Sequence, residues 1–186
     1  MRQTEFELGQ ALAHYAHRWP GEAALVAQFV TLLGDAVDPF VRERLAGHFT
    51  GSAWVVSGDG QRSLLTHHRK LGRWLQLGGH ADGDRNLARV ALREAQEESG
   101  LEALALHSAA IFDLDKHWIP ERGPVPGHWH FDVRFVVRAG GAEHFSVSEE
   151  SLALAWRPVD ELVNDADASM ARMARKWQHA QVQHQQ

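Results

Sequence analysis

Residues 78–101 read GGHADGDRNLARVALREAQEESGL, and the reading of the whole chain turns on them. A glycine pair and a small polar loop precede a run with helical periodicity. Ala88, Ala91, Leu92 and Ala95 recur at the i, i+3, i+4, i+7 spacing of a buried stripe. Those side chains are mostly small, so the helix can lie close to whatever it covers. Asp84 is suited to cap a helix starting near Arg85 or Asn86, because its carboxylate can accept an orphan backbone N–H. Gly100 supplies the C-terminal stop. Beside the stripe stand Glu94, Glu97 and Glu98, within about 100° of helix circumference. A like-charge pair at 4 Å costs roughly 1 kcal/mol in water and about 4 kcal/mol at a near-surface dielectric. A helix that needed only solubility would intersperse lysines, but only Arg93 is at hand. A divalent cation resolves the repulsion, and hard oxygen ligands select Mg²⁺ or Mn²⁺ over zinc. The competing reading of the residues alone is a solvated acidic face.

The spacing adds a second line. The stretch resembles the Nudix box, G-x(5)-E-x(7)-R-E-U-x-E-E-x-G-U, with U a bulky aliphatic. Gly79, Arg93, Glu94, Glu97, Glu98, Gly100 and Leu101 fall on its fixed positions. Arg85 stands in place of the first glutamate, with Asp84 one residue early, and Ala95 replaces an aliphatic. The resemblance implies an α/β fold over roughly Phe49 to Leu162: a Nudix-type α/β/α sandwich with a mixed sheet, here with an N-terminal helical segment and a C-terminal helix added. It implies Mg²⁺-dependent hydrolysis of a diphosphate in a nucleoside diphosphate linked to another moiety, with Mn²⁺ as the alternative ion. Glu94, Glu97 and Glu98, with the Gly78 carbonyl, are the metal ligands it implies; the metal would neutralise the diphosphate and lower the pKa of water. Arg93 would support a box glutamate by pairing with it. Glu94, Glu98 and Glu150 are the candidate catalytic carboxylates, with Glu150 or Glu98 as general base and Glu149 as the next choice after Glu150.

Composition narrows the classes. The chain has 186 residues, 44% hydrophobic and 23% charged, as expected of a soluble globular protein. A net charge of −5 argues against nucleic acid as partner. There is no cysteine, which excludes disulfides, thiolate zinc sites and cysteine nucleophiles, and with them an isopentenyl diphosphate isomerase-like role. No signal segment or 18-residue apolar run is present, so no membrane partner is expected and the cytoplasm is the simplest location.

Residues 1–46 read as a helical appendage, for packing, homodimerisation or covering one end of the site. Leu8, Leu12, Tyr15 and Trp19 mark one helix, and Leu25, Phe29, Leu32 and Leu33 a second. Asp38-Pro39 reads as the N-terminus of a short third one through Leu45. Residues 47–165 form the expected hydrolase domain. Ser52–Ser57 and Ser63–Thr66 flank Gly58-Asp59-Gly60, a hairpin signal. Arg69 and Arg73, in the basic connection before the box, suit a phosphate-bearing substrate. Ala109–His117 and His128–Val137 alternate as two strands. Asp113, Asp115 and His117 share one face of the first strand, and His128, His130, Asp132 and Arg134 one face of the second; Trp129, Phe131, Val133 and Phe135 point the other way. The polar face predicts a cleft wall. His80, His128, His130 and Arg134 join Arg69 and Arg73 as candidate substrate-binding residues, and Trp74, Trp118 or Trp129 could stack on a base, although Trp129 is expected in the core. Ala153–Trp156 is a further strand, and Pro158 begins a short helix. Residues 166–186 form a C-terminal helix and tail.

Two other function classes stay open. A catalytically weak Nudix-like module could sense a nucleotide, with the N-terminal helices transmitting the signal. Alternatively, His128 and His130 with Asp115 or Asp132 could hold a transition metal in a histidine–carboxylate enzyme built on the 113–134 strand patch.

Overall fold

The computed structural model describes residues 3–69, 71–149 and 151–183. β1 (His48–Val56) and β2 (Arg62–His68) form the hairpin signalled by Gly58-Asp59-Gly60, with Val55 opposite Leu64. β3 (Arg73–Leu75) and β4 (Leu77–His80) precede the box helix, and β5 (Leu104–Leu106) follows it. β6 (Asp113–Ile119) and β7 (His128–Ala139) are the two alternating strands, and β8 (Ser151–Pro158) is the last. All eight join one mixed sheet along the path β3-β2-β1-β7-β5, with β4 on β1, β6 on β7 and β8 on β2. β1 and β7 run parallel, from His48 opposite His130 to Val56 opposite Arg138. β5 has no counterpart in the sequence reading, because three residues are too few to show an alternation.

Helices cover both faces. α1 (Gln3–Arg18) and α2 (Ala23–Leu33) are joined by a 3₁₀ turn at Pro20–Glu22. α3 (Leu87–Ser99) is the box helix. Leu12, Phe29, Val90, Ala91 and Ala95 from these three helices share one core with Phe49, Ala53, Val55, Phe131, Val133 and Phe135 of the sheet. On the other face, α4 (Val159–Leu162) and α5 (Ala168–Gln183) bring Leu162, Met173 and Trp177 onto Trp54, Val56 and Val136. The result is the expected α/β/α sandwich. No helix among the described residues is long and apolar enough to cross a membrane.

Two local expectations are corrected. There is no helix over 38–45, where the chain makes turns. The carboxylate of Asp38 accepts from Phe40 N–H two residues on, while the carbonyls of Pro39 and Phe40 accept from Phe49 and Gly83. Those tertiary bonds use groups a helix would need. The cap of α3 is Asn86, whose side chain accepts from Arg89 N–H at 3.0 Å, and not Asp84. Asp84 instead accepts from Asn86 N–H and pairs with the Arg89 guanidinium. Gly100 ends the helix in the left-handed conformation, φ 66°.

Candidate active site

Strand β4 brings the box glycines beside β1, with Gly51 opposite Gly79, Ser52 opposite Gly78 and Thr50 opposite His80. Gly51 faces α3: a Cβ there would sit 2.8 Å from the Leu87 carbonyl oxygen and 3.0 Å from Val90. A Cβ on Gly79 would collide with the Glu94 carboxylate. Two glycines abreast therefore let the helix lie on the sheet. Glu98, buried at 7% exposure, accepts the Gly78 N–H at 2.8 Å. Arg93 donates to Glu94 at 2.7 Å and to the His80 carbonyl at 3.3 Å, and its Nε lies 3.9 Å from Glu97. Two acids thus rest on the glycine strand and the third, Glu97, is 64% exposed at the rim. An all-oxygen donor set against backbone from which side chains are excluded fits a hard divalent cation.

Arg85, where the box carries an acid, pairs with Glu5 of α1 and Asp38 and lies over the Phe40 ring. It fastens the N-terminal segment to the box loop. Arg42 pairs with Asp82 in that loop; burial lowers both His48 and His80, and for His80 the Arg42 charge is the next cause. The sequence reading missed Arg42, which carried no motif.

The polar face of β6 and β7 lies on the side of the sheet opposite α3, and it divides in two. Its inner half is an ion network. Arg134, 2% exposed, binds Asp132 at 2.7 Å and Asp113 at 3.1 Å, and lies 3.3 Å from Asp115. Arg172 of α5 donates to Asp113 and Asp115, and Lys176 to Asp113 at 2.7 Å. Burial opposes the charge on Asp113, but the Arg172 hydrogen bond and the Arg134 and Lys176 charges hold its carboxyl below the usual range. Asp132 also accepts from Thr50 and Ser52. This corrects Arg134 as a substrate-binding residue: its guanidinium is enclosed by three carboxylates. It equally removes Asp115 and Asp132 as partners for a histidine-bound metal.

The outer half is histidine. His128 and His130 meet His80 of β4 and His48 of β1, with ring centroids 5.0–5.2 Å apart for His48–His80, His48–His128, His48–His130, His80–His130 and His128–His130. Burial, then neighbouring positive charge, pushes His80 down to about 4. Burial, then the other histidines, pushes His130 down to about 2. His48 escaped the sequence reading, although its even-numbered place on β1 with Thr50 and Ser52 signals a polar face.

Of the remaining candidates, Arg69 is exposed and donates to the Glu149 and Ser151 carbonyls, and Arg73 is exposed with Asp167 at 3.5 Å. Glu150 lies outside the described residues. Trp74 stacks on His67. Trp129 is not in the core: it is 37% exposed and meets the 51% exposed Trp118 edge-on.

The NUDIX domain family model matches residues 48–177, well over half of the chain. The chain belongs to the Nudix family. The match takes in the whole sheet and most of α5. This Nudix protein resembles, among solved structures, a C. elegans Ap4A hydrolase binary complex: 17% identity, 72% of this chain and 97% of that one, TM-score 0.56. It also resembles the MutT protein from Methanosarcina mazei Go1, with 16% identity, 74% and 97% coverage and TM-score 0.56. The NUDIX domain of Shewanella oneidensis NrtR, complexed with ADP ribose, matches at 16% identity, 83% and 97% coverage and TM-score 0.50. At these identities the shared property is the fold. No curated protein matches the chain at a significant level.

Proposed function

We propose that this Nudix protein hydrolyses a diphosphate linkage in a nucleoside diphosphate joined to another moiety, using Mg²⁺ or, in its place, Mn²⁺. The observation that carries the reading is the seating of Glu94 and Glu98 on the Gly78-Gly79 strand, with Glu97 beside them. These three carboxylates and the Gly78 carbonyl are the proposed ligands. When bound, the ion supplies charge neutralisation of the diphosphate and a more acidic water. The residues do the rest by positioning, which is most of what phosphoryl chemistry asks of a protein. Gly78 N–H fixes one oxygen of Glu98, and Arg93 fixes the rotamer of Glu94. A carboxylate takes the proton of the attacking water: Glu150 or Glu98, with Glu149 the next choice after Glu150. Arg42, half-exposed and paired with Asp82 in the box loop two residues from His80, is suited to a phosphate oxygen. The exposed Trp118–Trp129 pair offers a face to a base. That the NrtR domain is described with ADP ribose, and the C. elegans enzyme as an Ap4A hydrolase, supports nucleotide diphosphates as the first compounds to try.

Glu98→Gln tests the reading. The amide oxygen can still accept the Gly78 N–H, so the fold should persist. Turnover should fall at least about a hundredfold, about 2.7 kcal/mol of transition-state stabilisation. Wild-type turnover in a folded variant removes the assignment. A second reading, a catalytically weak nucleotide-sensing module, draws on Arg85, which spends the box position on holding α1 in place of an acid. Ligand binding without phosphate release would favour it.

A further inference from the structure

The histidines on the far side of the glycine strand form a set that the hydrolysis above does not use. His48, His80, His128 and His130 each present a ring nitrogen within 4.8 Å of the other three, and they are the one such group of histidine or carboxylate ligands among the described residues. They come from three strands, β1, β4 and β7, so the sheet itself assembles them.

The protons are placed by their partners. His48 Nδ1 lies 3.2 Å from the Arg44 carbonyl and His128 Nδ1 lies 2.8 Å from the Pro126 carbonyl. A carbonyl only accepts, so both Nδ1 atoms carry hydrogen, and in the neutral ring Nε2 then carries the lone pair. A backbone carbonyl holding the outer N–H is the usual support of a metal-bound histidine. His128 Nε2 lies 3.1 Å from His130 Nε2. His48 is 1% exposed, and its Nε2 is buried with no hydrogen-bond partner. A buried acceptor left without a donor costs about 1–3 kcal/mol. Five centroid separations near 5 Å, with one nitrogen of each ring within 4.8 Å of the others, gather the four rings in one cluster. Tetrahedral binding at Zn–N of about 2.0–2.1 Å places nitrogens roughly 3.3 Å apart, so small rotations close the set.

We propose that His48, His80, His128 and His130 form a four-coordinate centre for a divalent transition ion of the zinc type, distinct from the glutamate site on the box helix. Four neutral imidazoles without carboxylate or thiolate suit borderline ions and not Mg²⁺. Four protein ligands describe a closed, structural site. The ion would tie β1, β4 and β7 together one residue beyond the glycines on which Glu94 and Glu98 rest.

The test is metal binding by untagged, full-length protein stripped with chelator. Zn²⁺ should bind one per chain against a chromophoric competitor, Co²⁺ should give the strong visible bands of tetrahedral coordination, and Zn²⁺ should raise the Tm. Loss of an outer partner alone costs about 10–100-fold, so His80→Asn and His130→Gln should each weaken Zn²⁺ at least about a hundredfold. Circular dichroism of both variants establishes that they fold, and two independent sites guard against the loss of one. His117→Ala, on the edge of the cluster at 5.4 Å from the His130 ring, and Glu98→Gln should leave affinity within about threefold. Pale octahedral Co²⁺, no one-to-one binding, wild-type affinity in either ligand variant, or loss of Zn²⁺ in Glu98→Gln each overturns the proposal.

Discussion

At the scale of single residues, Gly79 separates chemistry from stability. A Cβ there meets the far end of the Glu94 side chain, which can swing away. Gly79→Ala should therefore cost little in Tm but lower turnover at least about tenfold, about 1.4 kcal/mol, by moving one acid. Gly51, directly across the ladder, behaves differently, because its Cβ would meet the Leu87 backbone carbonyl. Gly51→Ala should destabilise by about 1–3 kcal/mol, seen as a lower denaturant midpoint, and lower activity as well. Residues at this scale were legible where they sit in a fixed linear spacing, as Glu94, Glu97 and Glu98 do. His48 and Arg42 were not, because what makes them matter is strand pairing and loop closure across 30 to 90 residues. Arg134 was legible as part of a charged face but not as its buried centre: three carboxylates enclose it, and the β6–β7 register supplies them.

At the scale of elements, periodicity served well. The alternation of 109–117 and 128–137 predicted two strands and which residues share a face; the strands run over 113–119 and 128–139, the first starting four residues later than expected, and the register pairs Asp113 with Arg134 and His117 with His130. Helix ends were harder. Asp84 and Asn86 are both good caps, and local hydrogen bonding chose Asn86 once Asp84 was paired with Arg89. Asn86→Ala should cost about 1 kcal/mol, read as a shift of midpoint at constant m-value, while Asp84→Ala loses the Arg89 pair and the acceptor of the Asn86 N–H. The 38–45 segment carried a helix start in sequence, Asp-Pro, yet its carbonyls are used by Phe49 and Gly83, contacts that no local pattern announces.

At the scale of the molecule, α1 and α5 close on the sheet through charge as well as apolar packing. Lys176 donates to Asp113 and to the Tyr15 hydroxyl and pairs with Glu22, while Tyr15 donates to Glu22 and accepts from Leu114 N–H. Asp113→Asn leaves Arg134 and Lys176 undercompensated in the interior and should cost about 3–5 kcal/mol. The wild-type carboxyl titrates below its ordinary value of 3.8. Its contribution is therefore complete above pH 3.8 and lost as pH falls further, through the folded value. Acid unfolding should show that limb, and Asp113→Asn should flatten it. The central claim, hydrolysis at the glutamates of α3, is tested most directly by incubating wild type and Glu98→Gln with a panel of nucleoside diphosphate derivatives and reading products by mass spectrometry. Wild type should cleave within the diphosphate with Mg²⁺ or Mn²⁺ and not with chelator, and the variant at least about a hundredfold less. Cleavage that survives the chelator, or equal rates in the two proteins, contradicts the claim.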